Sequence, residues 1–94
     1  MSKKKQHFNP ADIARQNQRY IQIGLHIAYY RKMRNISQEQ LADTLHVSRS
    51  YLSSIESPTK PVQTSVELLL HAADALDIPI QLLLEFDDCP QATS

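Results

Sequence analysis

The sequence predicts an all-α protein folded as a single domain. The 94-residue chain has one glycine, and its apolar residues recur at helical spacing over the first three quarters without clear strand alternation. A chain of this length can bury only a modest hydrophobic core, which fits one small domain. Prolines and capping residues divide the chain into segments of ordinary helix length.

The N-terminal third predicts one long helix. Residues 1–8 are polar and basic, and we expect them to be disordered. Asn9 as N-cap and Pro10 at the first helical position start a helix that continues to about residue 34. Gly24 predicts a bend or an interruption in this helix. Asn35 is expected to end it in the left-handed conformation.

Two short helices joined by a tight turn follow. Ser37 and Gln40 have the spacing of a capping box at the start of the first helix. His46 and Val47 form the turn, and Ser48 caps the second helix. The predicted helices cover residues 38–45 and 49–57.

The C-terminal third predicts one further helix and an ambiguous apolar segment. Pro58 and Pro61 bound a loop, after which Thr64 or Ser65 opens a helix that ends at Leu76. The large apolar residues of 78–86 alternate as in a strand, but some also fit one face of a helix, so both structures stay open. The predicted organisation is a basic arm and extra helix over 1–21, the main helical domain over 22–86 and a frayed tail over 87–94.

The formal net charge is zero, but it is the sum of two unlike halves. Residues 1–34 hold eight cations and one acid, a net +7, whereas residues 35–94 hold two cations and nine acids, a net −7. This pattern fits a molecule with one face for an anion, and it also fits a solvated basic arm beside an acidic tail. Lys3–Lys5 could accordingly grasp DNA or simply keep the chain soluble. Charge supports nucleic-acid binding only if Lys32, Arg34 or the arm lies on the binding face.

Several classes of site and compartment find no support in the residues. A single cysteine, Cys89, excludes an internal disulfide framework, and the four histidines lack metal-ligand spacing, so we expect no metal and no cofactor. No catalytic signature is present, and the chain is not expected to be an enzyme. No apolar run approaches the roughly 20 residues of a membrane helix and no signal peptide opens the chain, which predicts a cytoplasmic protein.

The two short helices have the features of a helix-turn-helix motif. Ala42 is small where the helices would cross closely, and Val47 places an apolar side chain in the turn. The outward side of the second helix carries no acid and only short or forked side chains, namely Arg49, Ser50, Ser53 and Ser54. Arginine reads guanine, and serine can bond base edges or phosphates. The alternative is a helical hairpin with no role in DNA binding.

Four stretches of the chain carry a family resemblance: Ile23–Arg31, Ile36–Ala42, Val47–Glu56 and Ala72–Leu76. They resemble the lambda-repressor-like helix-turn-helix family, of the xenobiotic-response-element type. The resemblance covers about residues 22–84 and is strongest across Ser37–Glu56. It implies a compact five-helix DNA-binding domain, here with an additional N-terminal helix or helical extension.

The resemblance also implies which residues hold the DNA backbone and the motif itself. Gln38 is expected to contact a phosphate and to brace the second helix. Ser48 would cap that helix and reach a phosphate, and Lys60 would contact DNA from the loop that follows. Arg31 and Glu56 match positions that often form an internal ion pair, which would make Arg31 structural.

The resemblance assigns sequence reading to the second helix of the motif. Arg49, Ser50 and Ser53 are expected to face base edges in the major groove, with Ser54 beside them. Two positions depart from the family, because His46 and Pro58 stand where glycine is usual. His46 is therefore expected at positive φ. The loop 58–63 is about two residues longer than usual and has Lys60 as its only cation.

These observations predict a sequence-specific regulator of transcription that binds double-stranded DNA. We expect a repressor that binds a palindromic operator as a homodimer, through an interface around Ile80, Leu83 and Phe86. One alternative is the antitoxin of a toxin–antitoxin pair, whose alternating apolar tail would form a strand or hold a protein partner. Another is a protein-interaction module that does not bind DNA.

Overall fold

The computed structural model describes residues 9–86 and contains only helices and loops over that range. The all-α prediction is confirmed. The elements are α1 (Pro10–Met33), α2 (Gln38–Leu45), α3 (Arg49–Ile55), α4 (Val66–Leu76) and a C-terminal 3-10 segment (Ile80–Leu84). The count of five α-helices is not confirmed, because four are present among the described residues. The basic arm, Cys89 and the tail 87–94 lie outside them.

Each α-helix begins at a side-chain cap that the sequence predicts. Asn9 Oδ1 accepts a hydrogen bond from the Asp12 amide at 2.9 Å. Ser37 Oγ accepts from the Gln40 amide at 3.0 Å, while Gln40 Oε1 accepts from the Ser37 amide at 2.9 Å, so the capping box is confirmed. Ser65, the second of the two residues proposed for this role, caps α4. These caps fix where the helices of the motif start.

Three non-glycine residues at the ends of helices adopt the left-handed conformation. Asn35 has φ 59° and His46 has φ 60°, as the sequence predicts, and Asp77 has φ 57° at the end of α4. Such a conformation strains a residue with a Cβ. At His46 it reverses the chain between α2 and α3, which sets the angle of the helix-turn-helix.

Gly24 does not interrupt α1, so the predicted break there is wrong. The glycine serves close packing instead: a Cβ built on it would lie 1.7 Å from the carbonyl oxygen of Ile55 at the end of α3. No side chain fits in that space. α1 therefore runs unbroken across the predicted boundary at residue 21, and its second half lies against the C-terminal end of α3.

The C-terminal segment closes the core and is neither strand nor α-helix. Leu83 has no exposed surface and belongs to the central apolar cluster with Ile27, Leu52 and Leu76. Its expected role in a dimer interface is therefore wrong, since a fully buried side chain cannot meet a second copy. The strand that the antitoxin alternative expected is not formed in this segment, because the 3-10 turn directs Leu83 inward and leaves Leu84 41% exposed.

Candidate nucleic-acid interface

A buried ion pair joins α1 to the C-terminal end of α3. Arg31 Nε donates to Glu56 Oε2 at 2.8 Å and Arg31 Nη2 donates to Glu56 Oε1 at 3.0 Å. Arg31 Nη1 also donates to the carbonyl of Ile36 at 2.8 Å. The predicted structural role of Arg31 is confirmed. Because the contact is bidentate and enclosed, it fixes the orientation of α3 relative to α1.

Gln38 extends this network to the start of α2. Its Nε2 donates to Glu56 Oε1 at 2.9 Å, so the side chain braces α3, as predicted. Glu56 thereby receives bonds from both neighbouring helices, and its charge is balanced by Arg31. The contact of Gln38 with DNA remains a prediction. In the first turn of α2 the Gln40 amide is taken by Ser37 Oγ, which leaves the backbone N–H groups of Gln38 and Glu39 to an anion.

The outward side of α3 is open to solvent. Arg49, Ser50, Ser53 and Ser54 are all exposed. In the part of the chain that the structure describes, none of these four side chains makes a hydrogen bond or ion pair with another residue. Ser48 Oγ accepts from the Tyr51 amide at 3.0 Å and keeps its hydroxyl hydrogen for another acceptor. The structure thus brings five of the seven predicted site residues onto one short helix and its cap.

Two further exposed residues are Lys60 and Tyr51. Lys60 is exposed in the loop between α3 and α4, at a distance along the chain from the other predicted residues. Tyr51 lies on α3 and is 40% exposed, although sequence analysis did not select it. Its position among the serines was the available signal, because a large aromatic side chain is unusual on a solvent-exposed helix of seven residues.

A groove runs between α1, the start of α2 and the end of α3. Its walls are formed by Leu25, Ala28 and Lys32 of α1, by Gln38, and by Ser53 and Ser57. Lys32 therefore lies on the same side of the domain as Ser53 on the outward side of α3. Arg34 does not: its Nε and Nη2 donate to the carbonyls of Leu76 and Asp77 at 2.8 and 2.9 Å, at the opposite end of the core.

Most arginines of the basic half are occupied within the chain. Arg15 bonds Asp12 at 2.7 Å, and Arg19 lies over the ring of Phe86 with its guanidinium carbon 5.8 Å from the centroid. Together with the contacts of Arg31 and Arg34, these interactions tie the arginines of α1 to other residues. Within residues 9–86, Lys32 is the cation of α1 that has no partner.

Residues 9–86 hold neither a membrane-spanning helix nor a cluster of metal ligands. None of their helices is long and apolar enough to cross a membrane. Likewise, no group of three or more histidine, cysteine, aspartate or glutamate side chains within 9–86 is arranged to hold a metal ion.

The chain is similar to known regulators over the part that forms the motif. The pattern of the helix-turn-helix family matches residues 27–83. The HTH-type transcriptional regulator SinR of Bacillus subtilis is 38% identical over 65 residues, which are 67% of this chain and 56% of SinR. The match thus spans little more than half of that relative.

Solved structures give the same result. The crystal structure of SinR, a master regulator for biofilm formation, in complex with DNA superposes with a TM-score of 0.60 and 36% identity, covering 67% of this chain and 98% of that one. The restriction-modification controller protein C.AhdI of Aeromonas hydrophila gives 0.61 and 30%, covering 68% and 94%. The chain belongs to the lambda-repressor-like helix-turn-helix family of transcriptional regulators.

Proposed function

We propose that this protein is a sequence-specific repressor that binds double-stranded DNA as a homodimer on a palindromic operator, in the cytoplasm. The observation that carries the proposal is the state of the α3 surface. Its polar side chains are free, while the helix beneath them is fixed by the Ser48 cap and by the network around Glu56. Side chains on a rigid support can discriminate between bases, because little order is lost on binding.

Roles follow from the chemistry of each residue. Arg49 has the forked donor that pairs with guanine in the major groove, and Ser50, Ser53 and Ser54 offer short hydroxyls to neighbouring base edges. Ser48, Gln38 and Lys60 would hold phosphates and set the register. The similarity to SinR, which has been crystallised with DNA, supports these roles for the matching part of the chain.

Dimerisation is proposed because one such domain offers few contacts. Seven residues of α3 can read only a few base pairs, and a second copy would place another α3 about 34 Å away, one helical turn along the DNA. Ile80 and Phe86 are partly buried and remain candidates for the interface. The stripe of Leu25, Tyr29 and Met33 on the outer side of α1 is also exposed and apolar.

The proposal is tested by selecting bound sequences from a random DNA pool and measuring affinity for the winner by gel shift across a salt series. The expected result is a palindromic consensus bound by two copies of the chain. Arg49→Ala should lower the preference for the consensus by about 1–3 kcal/mol, whereas Gln38→Ala should weaken all sequences evenly. Absence of any binding at low salt would sink the proposal.

A further inference from the structure

We propose that the groove between α1, α2 and α3 binds a phosphate of the DNA backbone and that Lys32 is its cationic ligand. The inference rests on the proposed function and deepens it. It adds a contact from α1, outside the helix-turn-helix, to the residues expected to touch DNA.

The charges along the groove leave one cation unbalanced. Glu56 lies at its floor, but this carboxylate is bonded by Arg31 at 2.8 and 3.0 Å and by Gln38 at 2.9 Å. The negative charge of Glu56 is thus balanced by Arg31 and does not offset the charge of Lys32. Lys32 is exposed at the rim and, among the described residues, has no ion-pair partner. The groove therefore carries one uncompensated positive charge, which favours an anion.

The groove is open between α1 and the end of α3. Ala28 is only 8% exposed and small, so it leaves room between α1 and the end of α3. Ser53 and Ser57 form the opposite wall, and Ser53 belongs to the surface proposed to read bases. A DNA strand whose bases meet α3 must carry its backbone past one edge of that helix. The groove is such an edge: Lys32 and two serine hydroxyls stand on its walls, and its one acid, Glu56, is paired with Arg31.

Neither Arg31 nor Arg34 is placed to supply a positive charge to a bound phosphate. Gln38 is expected to contact a phosphate, but its amide is neutral and one of the two Nε2 hydrogens is already bonded to Glu56, so it adds a donor and no charge. Arg31 is enclosed and committed to the same carboxylate, and Arg34 faces away toward the end of α4. This leaves Lys32 to supply the charge. A lysine contact of this kind adds affinity without reading sequence.

The test compares Lys32→Ala with Arg15→Ala on the full chain. Both variants remove one positive charge from α1, but Arg15 is paired with Asp12 and lies outside the groove. Operator and scrambled DNA are titrated from low to high salt. For Lys32→Ala we expect equal loss on both sequences, at least about threefold, and a salt slope reduced by roughly 0.9 per bound chain. Arg15→Ala should keep the wild-type slope, and Lys32→Arg should restore it.

Each outcome separates this inference from the function beneath it. If wild type binds DNA with sequence preference but Lys32→Ala keeps its salt slope, the phosphate site is wrong and the regulator remains. If Lys32→Ala instead changes which sequence is preferred, Lys32 reads a base and the phosphate assignment is overturned. If Lys32→Ala and Arg15→Ala lower the salt slope equally, the lysine acts through the overall electrostatic field of the domain and not through a phosphate site, and the inference is wrong. Thermal unfolding should be the same for wild type and Lys32→Ala, since the side chain is exposed and unpaired.

Discussion

Replacing Gly24 by alanine tests the close packing of α1 against α3. The added Cβ would lie 1.7 Å from the Ile55 carbonyl oxygen and 2.8 Å from its carbon. Because these are backbone atoms, no side-chain rotation can relieve the contact. The two helices must separate by about 1.3 Å for the Cβ–oxygen distance to reach even 3.0 Å, the limit below which real contacts are not found.

The size of the effect follows from three contributions. Overpacking a core contact costs about 1–3 kcal/mol. The same displacement stretches the bond from Arg31 to Glu56, which joins the same two elements at 2.8 Å, and charged hydrogen bonds contribute about 1.5–3 kcal/mol. Alanine returns about 1 kcal/mol of helix propensity. We therefore expect a net loss of about 1.5–5 kcal/mol in the free energy of unfolding, which at about 4–8 °C per kcal/mol lowers Tm by about 6–40 °C.

Urea denaturation followed by circular dichroism measures this loss. Gln18→Ala is the matched control, because Gln18 is an exposed position of the same helix and should gain slightly or stay unchanged. A Gly24→Ala variant within about 0.5 kcal/mol of wild type, at an equal denaturant slope, would refute the close approach of α1 to α3. A loss of stability in both variants would point to the helix and not to the contact.

Three further changes probe other parts of the fold. Arg31→Ala should destabilise the chain by about 3–5 kcal/mol, since it leaves the Glu56 carboxylate enclosed without a counter-charge; loss below about 1 kcal/mol in urea denaturation would contradict this. Leu83→Ala should cost about 2–5 kcal/mol as a core cavity while leaving the oligomeric state unchanged by sedimentation; dissociation of a stable dimer would return Leu83 to the interface. His46→Gly should raise stability by up to about 1 kcal/mol by relieving positive φ, whereas glycine at exposed Thr44 inside α2 should lower it by a similar amount.

The sequence predicted the helix ends well because they depend on local chemistry. Ser37, Ser48 and Ser65 each cap the helix that follows by bonding an amide three residues ahead. Such bonds involve only neighbours in the chain, so spacing alone reveals them. The positive φ of His46 was predicted instead from the family resemblance, because glycine is usual at that position.

Features that depend on distant residues were predicted less well. Gly24 suggested a break because glycine weakens an isolated helix, but its role is set by Ile55, which is 31 positions away. Leu83 suggested a dimer surface because the segment is rich in aliphatic residues, yet the small core uses this side chain fully. His26 illustrates the same limit: its Nδ1 lies 3.1 Å from the carbonyl oxygen of Leu83, a contact that no local pattern indicates.

The position of the charges decides how such a protein can bind DNA at zero net charge. The cations of residues 9–34 do not form a basic face, because the four arginines among them contact Asp12, Phe86, Glu56 and the end of α4. What remains near α3 is Arg49 and Lys32, with Lys60 in the loop beyond. Each phosphate contact contributes a salt slope of roughly 0.9, so one domain with so few cations binds weakly at physiological salt. Under the proposed function, tight binding requires two domains on one site, and this is the physical reason that dimerisation is part of that proposal.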